Sequence, residues 1–81
     1  MSTRRVQLAE LIRTFEYVLE ENGIHAESNF FAAGGDSLLA VRMISKLVQQ
    51  FGVDLTFAEF TQVPTPKALQ QLLNDQLDGC A

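Results

Sequence analysis

GGDSLLAVRMISKLVQQFG, residues 34–52 of the 81-residue chain, is the stretch on which the fold turns. Fifteen residues free of glycine and proline run from Ser37 to Phe51, with Asp36 before them and Gly52 after. A carboxylate at Asp36 can accept hydrogen bonds from the unpaired amides of a first helical turn, and Gly52 can close the last turn in a left-handed conformation. The segment therefore predicts a helix from about Ser37 to Phe51. Advancing about 100° per residue places Ala40, Met43, Ile44, Leu47 and Phe51 on one arc, with Ile44 expected near the centre of the core face. Arg42, Lys46, Gln49 and Gln50 fall on the opposite side. Leu38, Val41 and Val48, with Ser45 among them, form a second apolar strip beside the core arc. That strip either packs under a loop or another helix, or it is a docking face for partner proteins.

Working outward, Leu8, Leu11, Ile12, Phe15, Val18 and Leu19 recur at three-and-four spacing and predict a first amphipathic helix from about Thr3 to Asn22, capped at Gly23. Ile24 to Gly35 has neither helical nor alternating pattern, yet it carries Ile24, Phe30 and Phe31. It reads as a long loop pinned by aromatic side chains, a kind of connection that is often functional. After Gly52, Thr56 and Glu59 form a Thr-x-x-Glu capping box and predict a short helix from about Phe57 to Thr61. Thr65-Pro66 then starts a last helix, since proline is well tolerated at the first helical position, and Leu69, Leu72, Leu73 and Leu77 give its buried stripe. No segment sustains a period of two. The expected fold is all-α, a bundle of three longer helices and one short one.

Length allows one domain over residues 1–81, with no internal repeat. A core this small supplies about 3 to 5 kcal/mol of net stability. Cys80 is the single cysteine, so neither a disulfide nor a Cys-rich metal site is available; no role is assigned to this thiol, which has no basic neighbour to stabilise a thiolate. No stretch has the length of a membrane span, and no secretion signal is legible, which makes the cytoplasm the default. Ten acidic residues against six basic ones give a net charge of −4, with the basic residues dispersed apart from Arg4-Arg5. Nucleic acid is excluded as a partner, because a backbone-binding protein needs a positive face. The charge serves solubility, or complements basic patches on proteins.

The chemistry lies in Phe30-Phe31-Ala32-Ala33-Gly34-Gly35-Asp36-Ser37-Leu38-Leu39-Ala40. Two glycines free the backbone and clear side chains from the path of an approaching protein, and Ser37 follows at a helix mouth. A phosphodiester on Ser37 would meet unpaired amides and the positive end of the helix dipole. By spacing alone, the same residues also read as a glycine-rich turn with Ser37 as a cap.

This segment resembles the phosphopantetheine attachment signature of peptidyl carrier proteins, the thiolation domains of nonribosomal peptide synthetases. The amphipathic first helix, the long loop closing in paired phenylalanines and the Pro64-Thr65-Pro66 approach to the last helix agree with it. The resemblance implies a four-helix carrier bundle whose Ser37 hydroxyl attacks the β-phosphate of coenzyme A inside a magnesium-dependent phosphopantetheinyl transferase. It implies a covalent 4′-phosphopantetheine cofactor, no metal of the domain's own, and Asp36, Leu38 and Val41 as partner-contacting positions. The implied partners are the transferase, an adenylation domain or enzyme, and downstream condensation, tailoring or thioesterase enzymes, met by a monomeric carrier. Fatty-acid and polyketide carriers are more distant, since they usually have one glycine before Asp-Ser-Leu and lack the phenylalanine pair. Most domains of this kind sit inside large synthetases, so the chain is expected to be either a free-standing carrier, to which the start at Met1 leans slightly, or a domain excised from a longer protein.

Two other classes compete. Gly35-Asp36-Ser37-Leu38 also spells the GDSL esterase signature, but nucleophilic catalysis by serine needs a base, an orienting acid and oxyanion donors. The one histidine, His25, precedes the serine, whereas those hydrolases place an Asp-x-x-His pair far downstream; the chain is also too short for their α/β fold. A helical interaction module without covalent chemistry explains the apolar strip and leaves Gly-Gly-Asp-Ser without a purpose.

Overall fold

The computed structural model describes residues 5–78. Cys80, Arg4 and the expected start of the first helix at Thr3 lie outside them. Four helices follow one another: α1 (Leu8–Leu19), α2 (Ser37–Phe51), α3 (Phe57–Gln62) and α4 (Pro66–Asp78), with no strand among the described residues. The architecture is the expected all-α bundle. α1 packs against both α2 and α4, and α3 packs against α2. None of these helices is long and apolar enough to cross a membrane.

α1 is shorter than its periodicity implied, for a different reason at each end. At the start, Val6 is buried and its backbone is taken by α4: its amide donates to Asn74 Oδ1 at 2.8 Å, and its carbonyl accepts from Asn74 Nδ2 at 3.2 Å. Gln7 then begins the helix, its amide held by Glu10 Oε1 at 3.1 Å. At the end, the left-handed cap falls on Glu20, with φ of 55°, and not on Gly23. The carboxylate of Glu16 turns back to accept the amides of Gly23 and Ile24, which peels residues 20–24 away from the helix.

α2 has the expected limits. Asp36 Oδ1 accepts from the Leu39 amide at 2.9 Å, and Gly52 closes the helix at φ 68°. Ala40, Met43, Leu47 and Phe51 are buried, but Ile44 is only half-buried. Expecting Ile44 at the centre of the core face was wrong. At about 100° per residue it lies on the edge of the arc next to Val41 and Val48, and Ala40 and Leu47 hold the middle. The Thr56–Glu59 capping box forms, and α3 runs one residue beyond its expected end. Val53 and Leu55, in the short connection before α3, join the core although no periodicity marked them.

The long loop is held by aromatic packing, as expected. Phe30 is fully buried and meets Phe15, Phe31 and Phe60 edge-on, with ring centroids 5.6, 5.4 and 5.0 Å away. Such pairs contribute about 0.5 to 1.5 kcal/mol beyond the area they bury. Two backbone bonds tie the loop to the α3–α4 connection and the first turn of α4: Phe30 N to Pro64 O at 2.8 Å, and Lys67 N to Ala26 O at 3.0 Å.

Candidate functional site

Ser37 is the first residue of α2 and is exposed. Asp36, not the serine, caps the helix. Ala40 N also bonds back to Asp36 O at 2.8 Å, so the turn that carries the serine is rigid from behind. The Ser37 hydroxyl and the amides of Ser37 and Leu38 have no hydrogen-bond partner among the described residues. An exposed hydroxyl thus stands beside unused N–H donors at the positive end of a fifteen-residue helix. That arrangement suits an oxygen that is to carry a phosphodiester.

The two glycines before the site act differently from each other. Gly34 has φ of 112° with open space where a side chain would stand, so its requirement is the backbone conformation. Gly35 has no positive φ. A Cβ there would overlap Cδ2 and Cε2 of Phe30 and lie 2.8 Å from the Phe30 carbonyl oxygen. The expectation that both glycines clear the path of an incoming protein is therefore wrong for Gly35: its side chain is missing because the core occupies the space. Asn29 completes the turn, with Oδ1 accepting from the amides of Phe31 and Ala32 at 2.9 and 3.1 Å.

Leu38 is 69% exposed, Val41 55% and Val48 39%. The apolar strip on α2 is not covered by the loop or by another helix. Phe57, the first residue of α3, adds an exposed ring on the helix packed against α2. Nothing in the sequence marked it: at i and i+3, Phe57 and Phe60 lie only about 60° apart around the helix, so spacing alone would put both on one face. His25 is exposed, and its Nδ1 accepts only from the Glu27 amide in its own loop, at 3.4 Å. Among the described residues no group of three or more His, Cys, Asp or Glu could hold a metal ion. A surface cleft of about 540 Å³ between α1 and α2, where Lys46 Nζ sits 4.7 Å from the centre of the Tyr17 ring, is lined by Arg42, Ser45 and Gln49 and does not include Ser37.

Residues 6–73 match the family model for the phosphopantetheine attachment site. The chain belongs to the phosphopantetheine attachment family. It is a carrier domain and not a catalyst, and its cofactor is a covalent 4′-phosphopantetheine, whose phosphodiester fits the free hydroxyl and amides at the mouth of α2. The carrier domain is 41% identical, over 71 residues, to a probable non-canonical nonribosomal peptide synthetase, CymA of Salinispora arenicola. It is 39% identical over 66 residues to pyochelin synthetase PchE of Pseudomonas aeruginosa. These alignments cover 86% and 82% of the carrier domain but 1% and 5% of the relatives. A chain in the complex of the phosphopantetheine transferase Sfp with coenzyme A and a peptidyl carrier protein superposes with a TM-score of 0.80 at 29% identity. That superposition covers 90% of this carrier domain and 95% of the other chain. These similarities place the fold among the carriers of nonribosomal peptide synthetases and leave the esterase reading of Gly35-Asp36-Ser37-Leu38 without support.

Proposed function

We propose that Ser37 is the residue that takes the phosphopantetheine arm, and that the domain presents amino or acyl thioesters to enzymes of nonribosomal peptide assembly. The observation that carries this reading is the exposed, unbonded hydroxyl of Ser37 beside free amides at the start of α2. Transfer forms a bond from Ser37 Oγ to the β-phosphorus of coenzyme A, breaks the bond from that phosphorus to the nucleotide, and releases the hydroxyl proton. The arm, once attached, supplies a thiol for thioester chemistry. The domain's residues hold the serine outside the core, offer amide donors to the phosphodiester, and keep the helix mouth capped from the side by Asp36.

Leu38 and Val41 form the docking face in this reading, with Asp36 beside them. The transferase is the first partner, as the complex of Sfp with a peptidyl carrier protein suggests by analogy. An adenylation enzyme and then condensation, tailoring or thioesterase partners follow. Residues 1–81 act as one monomeric carrier unit in the cytoplasm, a setting that suits a single cysteine and a coenzyme A-dependent modification.

Incubation with coenzyme A, magnesium and a broad-specificity transferase adds one phosphopantetheinyl group, located on Ser37 by tandem mass spectrometry. Ser37→Ala takes none. A wild-type chain that stays unmodified, or is modified elsewhere, overturns the assignment.

A further inference from the structure

Phe30 joins three parts of the molecule through three separate groups. Its amide donates to Pro64 O in the α3–α4 connection, at 2.8 Å. Its carbonyl accepts from the Gly35 amide at 2.9 Å. Its ring stands edge-on to Phe60 of α3 and Phe15 of α1, and fills the space where Gly35 lacks a side chain. Gly35 is two residues before Ser37, and those two residues are not slack. Asp36 is bonded to α2 through both its carboxylate and its carbonyl, so a shift at Gly35 carries the first turn of the helix with it.

We propose that Phe30 is a positioning residue for the modification of Ser37. It sets the offset of the Gly35-Asp36-Ser37 turn from α3, so that a transferase seated on the exposed surfaces of α2 and α3 finds the hydroxyl in line with its phosphate. The inference rests on the reading of Ser37 as the modified residue. Its physical basis is the steepness of proximity effects: misplacing a reacting group by about 1 Å costs on the order of 10²-fold in rate. The ring occupies the place a Gly35 Cβ would take, which would overlap its Cε2, so a side chain of another shape at position 30 changes what Gly35 packs against.

The test is the steady-state kinetics of transfer with coenzyme A, magnesium and a broad-specificity transferase, on chains shown to be folded by circular dichroism at the assay temperature. Phe30→Leu lowers kcat about tenfold or more and leaves KM for the carrier within about twofold. Phe31→Leu is the control, because Phe31 stacks on the same cluster but is half-buried; it leaves both constants near wild type. A purely structural role gives a different pattern, in which lost folded carrier raises the apparent KM at constant kcat. Gly35→Ala also lowers kcat, and less so in a Phe30→Leu background, because the added methyl then meets a smaller and more flexible side chain. If Phe30→Leu does not fold, Phe30→Met, which retains more volume, takes its place in the same comparison. A wild-type kcat in the position-30 variant, or an equal loss in Phe31→Leu, overturns the positioning role while wild-type modification at Ser37 stands. An unmodified wild-type chain removes the carrier reading instead.

Discussion

The side-chain amide of Asn74 closes two hydrogen bonds on the backbone of Val6, accepting from its N–H and donating to its carbonyl across 68 positions of sequence. Both residues are buried, and Gln70 Nε2 adds a second donor to the same carbonyl at 3.1 Å. Asn74 therefore does for the segment before α1 what a neighbouring strand would do. Asn74→Leu leaves the Val6 amide without a partner, at a cost of about 1 to 3 kcal/mol. The melting temperature should fall by roughly 4 to 8 °C per kcal/mol in a domain of this size, while exposed Gln71→Ala leaves it unchanged.

Glu20 holds a left-handed conformation that glycine adopts without strain. Its side chain is exposed and makes no hydrogen bond among the described residues. Glu20→Gly should stabilise the fold by up to about 1 kcal/mol, since the steric cost of αL for a residue with a Cβ is about 1 to 2 kcal/mol and glycine's greater freedom in the unfolded chain offsets part of it. Urea denaturation should show a higher midpoint with an unchanged slope.

At the mouth of α2, the division of labour between Asp36 and Ser37 is directly measurable. Asp36→Ala removes the bond to the Leu39 amide and should cost about 0.5 to 2 kcal/mol. Ser37→Ala removes no bond within the described residues and should leave the unfolding midpoint near wild type while abolishing modification. If the stabilities rank the other way in thermal melts, Ser37 is the cap.

Burial on α2 separates the core from the docking face. Leu47→Ala empties a fully buried site and should cost about 2 to 5 kcal/mol, enough to unfold much of a domain this small. Ile44→Ala, at the half-buried edge of the arc, should cost less than Leu47→Ala, and chemical denaturation of the two variants gives the ranking.

Val41→Asp should keep native circular dichroism, because the new carboxylate stays hydrated. A partner that covers this strip must desolvate an unpaired charge, so the rate of loading by an adenylating enzyme should fall. Loading at the wild-type rate would show that the strip is not a docking face.

The sequence by itself determined the elements whose signals act within one helical turn. Asp36 and Gly52 bound α2, Thr56 with Glu59 starts α3, and Pro66 opens α4, because each cap is a bond or a conformation reached within about three residues. It also put Ser37 at a helix mouth, which is a matter of the same local geometry. The folded structure alone decided what depends on neighbours beyond a single helical turn. α1 begins late because Asn74 takes the backbone of Val6, and it ends early because Glu16 draws in the amides of Gly23 and Ile24. Periodicity could bring Leu38, Val41 and Val48 together but not say what covers them, since burial depends on which element lies opposite. Gly35 is the sharpest case: a glycine looks the same in sequence whether it supplies a backbone conformation or makes room, and only the ring of Phe30 against it shows that here it makes room.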